Sequence, residues 1–288
     1  MLDILFKSVS ETLLVFGRNP ENGLGGKLGF IAILHTWDQL LNAHFHLHCL
    51  IPGGAVSDHW IRWIACKNDY LFNHEALSLV FRGKFIHHMN KAYRKGKLHF
   101  PGRCSSFETP QGFKQLIDSL YSNKWVVHLK EPIKRSEYVL EYLGRYTHRV
   151  AISNHRLVSL KDGQVTFTYK NRKTEKIQHT TIEAVEFIRR FLLHALPNGF
   201  VKIRHYGFLA NRNRTKNLVK IRQLHALPPI GKIAEKSVEE MMLSLTGNDI
   251  NLCPCCGKGK MQLVGEIPRY NGICPKDIIR PPNYRKVA

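Results

Sequence analysis

Three histidines alternate with apolar residues in the segment HFHLHCLIP, which begins at position 44. Successive side chains of a β-strand point to opposite faces, so a strand here places His44, His46 and His48 on one face. The residues of the other face, which are expected to face the core, are Phe45, Leu47 and Cys49. The segment therefore predicts a half-buried strand with one histidine-lined face.

The rest of the chain predicts a mixture of helices and short antiparallel strands. Helices are predicted over 2–16 (ending before Gly17), about 74–94, 111–121, 136–147 and 182–196, the last preceded by a Thr180–Glu183 capping box. Strands are predicted over 29–36, 44–52 (closed by Gly53 and Gly54), 200–207 and in a meander of VAIS, HRLVSL and QVTFTYK between 150 and 170. Without alternating β-α-β units, this order predicts an α+β fold whose central antiparallel sheet carries the histidines and has helices on one face.

The chain is expected to contain one large domain over 1–225 and a smaller C-terminal region over 226–288. The second region is rich in Pro, Gly, Lys and Cys and is interpreted as a linker with a small tail module. No segment has the roughly 18 consecutive apolar residues of a membrane helix, and no signal peptide follows Met1. We therefore expect a cytoplasmic protein that does not bind membranes.

The net positive charge of the chain is the first indication of what it binds. The 43 Lys and Arg residues outnumber the 22 Asp and Glu residues, for a net charge of +21, and the excess is concentrated between 134 and 222. Such a balance favours binding to a polyanion such as nucleic acid. A solvated basic surface without a ligand is the alternative.

The histidine face suits a divalent metal. Imidazoles on a rigid strand can bind such an ion, and a two-histidine anchor leaves positions open for a phosphate oxygen. An unbound histidine stripe is the alternative, but metallohydrolases of the His-x-His-x-Asp type are disfavoured because Leu50 occupies the carboxylate position. The third ligand is left open among His44, Gln39, Asp38 and His35.

Tyr142 and Tyr146 lie four residues apart in the predicted helix 136–147 and therefore share one helical face. Tyr138 extends this stripe by one turn. A tyrosine stripe is often a core or interface feature, but here Arg145 and Arg149 place cations that bind phosphate beside the phenols. The pair is therefore a candidate for nucleophilic chemistry on a phosphate.

A basic strip follows in the segment ANRNRTKNLVKIR at 210–222. Arg212, Arg214 and Lys216 alternate with Asn and apolar residues, a pattern that suits contacts to a single-stranded backbone. A disordered, solvated segment is the alternative.

The seven cysteines do not form a regular disulfide pattern. Cys253 and Cys256 have the C-x-x-C spacing of a zinc knuckle, with glycines that allow the turn. Cys274 is a candidate third ligand, and no fourth is evident in the tail. A structural Zn²⁺ and an unmetallated remnant are both compatible with this pattern.

Three blocks, in this order, resemble the HUH endonuclease superfamily, and within it the two-tyrosine rolling-circle transposases of bacterial insertion sequences. They are LHTWDQLLNAHFHLHCLIPGG at 34–54, EYLGRYTHRVAISNHRL at 141–157 and VKIRHYGFLANRNR at 201–214. The superfamily is named for two histidines separated by a hydrophobic residue. The resemblance extends over most of residues 1–256.

The resemblance implies an HUH nuclease-like fold and a role for each motif. His46 and His48 would bind Mg²⁺ or Mn²⁺, and Tyr142 and Tyr146 would be nucleophiles that leave a 5′-phosphotyrosine bond and a free 3′-hydroxyl. The implied partner is single-stranded DNA at the ends of the mobile element and at its target, in the bacterial cytoplasm. No oligomeric state is implied.

The chain departs from the family pattern at its start, where related transposases carry a Cys-rich zinc-binding segment ahead of the first helix. The sequence from Met1 is therefore expected to lack that segment. A replication initiator or relaxase with the same chemistry, and a catalytically inactive DNA-binding fragment, are the alternative functions.

Overall fold

The computed structural model describes residues 1–262, except for 23, 68–70, 134, 148–150, 172, 230–236 and 254. The side chains of residues 22, 136 and 145–147 also lie outside the described part. The chain divides into two units, Met1–Pro229 and Ile230–Ala288. None of the described helices is long and apolar enough to span a membrane.

The first unit combines helices with antiparallel strands, as an α+β fold requires. Its helices are α1 (Leu2–Arg18), α2 (His74–Arg94), α3 (Pro110–Ser122), α4 (Ser136–Thr147), α5 (Ala184–Leu192) and α6 (Arg214–Leu224). Its strands are β1 (Gly29–Trp37), β2 (Ala43–Leu50), β3 (Gly54–Val56), β4 (Trp63–Ala65), β5 (Leu157–Lys161), β6 (Gln164–Lys170), β7 (Ile177–Glu183) and β8 (Ile203–Gly207). Short 3₁₀ segments occupy Pro20–Asn22, Gly102–Glu108 and Asn154–Arg156.

The sheet that carries the histidines has the order β2-β1-β8, and both pairings are antiparallel. Residues paired across strands share a face, so the register defines a histidine face. Its members in register are Ile31, Ile33 and His35 on β1, His46 and His48 on β2, and Ile203 and His205 on β8. The strand predicted over 44–52 is confirmed, although it ends at Leu50 and Gly54 begins β3 instead of closing β2.

The opposite face of this sheet packs on α1. Phe30, Ala32 and Leu34 form one buried cluster with Phe6 and Phe16 of the helix. The predicted first helix is confirmed but continues through Gly17 to Arg18, because Gly17 has no Cβ to collide with Leu28.

Helix α4 lies on the histidine face, since its Tyr142 contacts His48. Helices therefore occupy both faces of this sheet, and the prediction of helices on one face was wrong. The predicted bounds of α4, 136–147, are confirmed. The two helices predicted near 74–94 and 111–121 are confirmed as α2 and α3.

A second sheet has the order β5-β6-β7 and packs with α5 around Phe167. Here the predicted capping box was wrong, because Thr180 lies within β7 and pairs with Phe167, and Glu183 caps α5 without a side-chain hydrogen bond. Pairing along β6 overrides the local helix signal. The strand predicted for VAIS is also wrong at its described residues, 151–153.

The second unit contains α7 (Val238–Thr246) and the turn around Cys253. The helix begins with a capping box between Ser237 and Glu240 and ends at Gly247, whose φ of 72° is left-handed. The sequence interpretation of 226–288 as a linker and tail missed this helix.

Candidate active site

Three histidines of the first unit converge at one end of the histidine face. His35 of β1 pairs with His46 of β2, and His48 lies one pleat further along the same face. One ring nitrogen from each lies within 4.8 Å of the others. This is the only group of three or more His, Cys, Asp or Glu side chains with such spacing among the described residues, and all three are partly buried. The cluster can hold a metal ion.

The tautomer of His46 follows from its neighbours. Its Nδ1 lies 2.7 Å from the carbonyl oxygen of His44, which can only accept, so Nδ1 donates and Nε2 carries the lone pair. That Nε2 lies 3.0 Å from Nε2 of His48. A backbone carbonyl that holds the remote ring nitrogen is the usual way in which a metal-binding imidazole is oriented.

Among the four candidates for a third ligand, His35 is the one that belongs to the histidine cluster. The side chain of Gln39 instead accepts from the backbone amide of Lys170 at 3.5 Å. His44 contributes its carbonyl to His46 and is exposed, and its ring is not part of the cluster. Asp38 folds back on its own loop, where its carboxylate accepts from the backbone amides of Leu40 and Asn42 and from the Asn42 side chain. Burial raises the pKa of Asp38, but these hydrogen bonds lower it overall.

The loop between β1 and β2 is fixed from the second sheet and α5. Arg156 donates to the carbonyl of Gln39 and, at 2.8 Å, to that of Thr168. The next two carbonyls, Leu40 and Leu41, accept from Arg190 at 3.2 Å and from His194 at 3.1 Å. Three successive carbonyls are therefore held from outside the hairpin, which keeps the two histidine strands in register.

Tyr142 of α4 meets this cluster directly. Its hydroxyl lies 3.0 Å from Nδ1 of His48, while Nε2 of the same ring faces His46. Burial, followed by the positive charges of His46, Lys130 and His44, lowers the pKa of His48 to about 4. His48 is therefore neutral at pH 7, as a metal ligand must be.

Lys130 was missed in the sequence. It is exposed in the extended segment between α3 and α4, and its charge acts on His48. No periodicity or spacing relates it to the histidines, so only the fold reveals it. It adds a positive charge beside the histidine cluster.

Several predicted residues lie outside the described part of the chain. Tyr146 and Arg145 are in α4, but their side chains are not described, and Arg149 is not described at all. Their positions relative to the cluster therefore stay predictions.

The opposite side of β2 matches the prediction in part. Leu47 and Cys49 pack against the α1 core, and burial raises the pKa of the Cys49 thiol to about 12. Phe45 is 43% exposed, so its predicted core position was wrong. It lies near the start of β2, where the burial of the strand is lowest.

The basic strip begins at the other edge of the same sheet. Arg212, Arg214 and Lys216 are exposed, and the segment from Arg214 is α6, a helix that the sequence did not predict. His205 lies on the histidine face, and burial, then the charge of Arg214, lowers its pKa. Arg214 is thus close to His205 on the histidine face.

In the second unit, Cys253 and Cys256 form a hydrogen-bonded knuckle. The Cys253 amide donates to Gly259 at 2.7 Å, and Gly257, at a φ of 65°, donates to the Cys253 carbonyl at 2.8 Å. The Gly259 amide donates to Sγ of Cys256 at 3.3 Å. Hydrogen bonds from Gly259, Lys258 and Cys253 lower the pKa of Cys256, which favours the thiolate. Cys274 lies outside the described residues.

Comparison with known proteins gives consistent matches. Residues 29–217 match a family described as "Putative transposase". The chain is 42% identical to "Putative transposase y4qJ" of Sinorhizobium fredii (strain NBRC 101917 / NGR234) over 262 residues, 90% of this chain and 66% of that protein. It is 24% identical to "Transposase for insertion sequence element IS801" of Pseudomonas savastanoi pv. phaseolicola over 271 residues, 89% of this chain and 60% of that protein. The chain thus spans less than two thirds of the length of each relative, and no solved structure matches it.

Proposed function

The chain belongs to the family described as "Putative transposase", and we propose that it is a transposase that cuts and rejoins single-stranded DNA with tyrosine nucleophiles at a histidine-held divalent metal. The observation that carries this proposal is the contact between Tyr142 and His48. One nitrogen of His48 faces the tyrosine hydroxyl at 3.0 Å, and the other belongs to the three-histidine cluster. A nucleophile and a metal site therefore share one side chain.

His35, His46 and His48 would hold the ion. The donor set fits, because the cluster supplies three imidazoles, its His48 is neutral at pH 7, and its His46 has a lone pair on Nε2. When bound, a divalent metal acts as a Lewis acid that polarises the phosphate under attack. Imidazole ligands favour transition ions over Mg²⁺, so Mn²⁺ suits this set better than Mg²⁺.

In the cleavage step, a bond forms between the tyrosine oxygen and phosphorus while the bond from phosphorus to the 3′ oxygen breaks. The phenol loses its proton and the departing 3′ oxygen gains one. A phenol with a pKa near 10 is a poor nucleophile at pH 7, so groups that favour the phenolate are required. If Nε2 of His48 is a ligand, its Nδ1 carries the proton and donates to the Tyr142 oxygen, which favours the phenolate, as does the charge of Lys130.

Tyr146 is proposed as the second nucleophile. It follows Tyr142 by one helical turn in α4, and residues at this spacing lie on one helical face. A second phenol allows another strand to be cut while the first end is still bound, and the free 3′-hydroxyl of one cut can then resolve the other linkage. Arg145 and Arg149 are proposed to bind the phosphates beside the reacting one.

The start of α6 is proposed as a DNA track. A plot of log affinity against log salt concentration should have a negative slope, to which each phosphate contact on a single strand contributes about −0.7. We expect that replacing Arg212, Arg214 and Lys216 by alanine makes this slope less negative by about 2. Fluorescence anisotropy of a labelled oligonucleotide between 50 and 200 mM salt, as an approximate range, measures this slope.

In the matched control, alanine replaces three exposed lysines elsewhere in the chain, Lys114, Lys161 and Lys173. This variant has the same net charge as the first. An equal change of slope in both variants would show that general charge, and not the α6 segment, sets the affinity.

Cys253 and Cys256 are proposed to bind a structural Zn²⁺. Their knuckle presents two cysteine sulfur atoms, half of the four ligands of a structural zinc site. We expect Co²⁺ substitution to produce a thiolate-to-cobalt absorption band, which the histidine cluster cannot give. Cys253→Ser and Cys256→Ser should each reduce the band strongly, while Cys104→Ser, at an exposed cysteine of the first unit, should leave it unchanged. A band that survives in both knuckle variants rules out this site.

A further inference from the structure

The loop between β3 and β4 carries a tryptophan in an unusual backbone conformation. Trp60 has a φ of 60°, a left-handed value that bulky residues rarely adopt. The loop is held in this shape by hydrogen bonds. The Trp60 amide donates to the Ser57 carbonyl at 2.9 Å, and the Ser57 hydroxyl accepts from the amides of Ile61 and Arg62 at 3.2 Å. The surrounding loop therefore maintains a conformation that is unfavourable for the residue itself.

Two lysines from other elements lie over the Trp60 ring. The ammonium of Lys27, which precedes β1, is 5.9 Å from the ring centroid, and that of Lys220 on α6 is 5.5 Å away. Lys27 is also held by the Asp58 carbonyl at 2.6 Å. Lys220, by contrast, is exposed on a flexible stem.

Trp60 is not a core residue. It is partly exposed, and its neighbour Ile61 is 72% exposed. Trp63, three residues later, shows the contrast, because its ring packs against Phe208 and His225 and thereby joins β4 to the end of α6. The loop thus presents one aromatic ring with two cations close to it, while Trp63 of β4 stabilises the scaffold.

We propose that Trp60, with Lys27 and Lys220, stacks a base of single-stranded DNA at a contact separate from the active site. An accessible indole can stack on any base, and lysines can move from the ring to the adjacent phosphates. The net charge of +21 and the neighbouring α6 strip favour this occupant over an apolar peptide. The inference rests on the proposed function, since it assumes a single-stranded DNA substrate.

The contact is remote from the chemistry. Lys27 precedes β1, whereas His35 lies near its far end. The six residue steps from Gly29 to His35 alone span roughly 20 Å at about 3.3 Å per residue. Trp60 cannot touch the phosphate that reacts at the histidine cluster. Its loss should therefore weaken DNA binding without changing the rate of cleavage at saturating DNA.

The test is Trp60→Gly, since glycine adopts a φ of 60° without strain and the variant should fold at least as well. Anisotropy titration of the full chain with a labelled oligonucleotide in EDTA measures binding with cleavage switched off. We expect about tenfold weaker binding for Trp60→Gly, little change for Trp60→Phe, and a smaller loss for Lys220→Ala than for Trp60→Gly. Lys114→Ala, at an exposed position of α3, is the control that matches the charge change of Lys220→Ala.

The results separate this inference from the proposed function. If the wild-type chain binds no single strand, the proposed function fails. If it binds and Trp60→Gly binds equally well, only the stacking contact fails. An equal loss of affinity for duplex and single strand in Trp60→Gly would also overturn it, because paired bases within a duplex do not offer their faces to an indole.

Discussion

Replacing His35, His46 or His48 by alanine should reduce the rate of single-strand cleavage about a thousandfold in each case. His44→Ala should cleave at a rate within a few-fold of that of the wild type. The three side chains belong to one cluster, so the loss of any one removes one of the three proposed metal ligands. Lewis-acid assistance is worth several kcal/mol, and about 4 kcal/mol corresponds to a thousandfold in rate. His44→Ala is a matched control, because His44 acts on His46 through its backbone carbonyl, which the substitution retains.

The measurement is cleavage of a labelled oligonucleotide, with DNA binding measured in parallel to show that the variants remain folded. EDTA should abolish cleavage in the wild-type protein, and Mn²⁺ should restore it at a lower concentration than Mg²⁺, because imidazoles favour the transition ion. Equal losses at His44 and His35 would exclude the assignment of His35 as the third ligand. Undiminished cleavage in EDTA would exclude the metal.

The local features of this site could be predicted from the sequence because they depend on short-range periodicity. Alternation by two placed His46 and His48 on one strand face, and helical spacing placed Tyr142 on α4 within the bounds observed. Neither inference requires knowledge of the partner element. The contact between them, at 3.0 Å, depends on packing across 94 residues of chain and is visible only in the fold.

The proposed third metal ligand shows why other features of the site could not be predicted from the sequence. His35, His44, Asp38 and Gln39 are all close in sequence to the pair, but strand register and loop hydrogen bonds decide among them. The pairing of His35 with His46 places the His35 imidazole in the histidine cluster, whereas the carboxylate of Asp38 accepts hydrogen bonds from its own loop. The loop between these strands is in turn held by Arg156, Arg190 and His194, which come from distant segments.

Contacts with a distant segment also explain why the predicted capping box was wrong. Thr180 and Glu183 have the spacing that begins a helix, but the chain there alternates in the pattern of a strand and pairs with β6 along its whole length. A genuine capping box occurs at Ser237 and Glu240, where no strand competes. Local helix signals therefore hold only where no strand partner is available.

The two-tyrosine mechanism predicts that single tyrosine variants lose strand transfer but still form a covalent DNA adduct, whereas the double variant loses both. Tyr142→Phe or Tyr146→Phe should retain some nicking, with the DNA linked to the remaining tyrosine, but should fail in complete strand transfer. A complete reaction needs a second nucleophile while the first holds a DNA end. The double variant should form no covalent adduct, a loss of essentially all activity. Adducts trapped with labelled DNA and located by peptide mapping measure both results.

The tyrosine assignment can be separated from a structural role because phenylalanine keeps the ring. Loss of the Tyr142 hydroxyl removes one hydrogen bond, worth about 1 kcal/mol, so the fold and the DNA affinity should change little. Tyr138→Phe, at a 54% exposed position one turn earlier on α4, is the matched control and should cleave and transfer as the wild type does. An adduct that persists in the double variant, or that maps to Tyr138, would leave Tyr142 and Tyr146 without a catalytic part. Because the Tyr142 hydroxyl already contacts His48, we expect the Tyr142→Phe variant to show the larger loss of nicking of the two single variants.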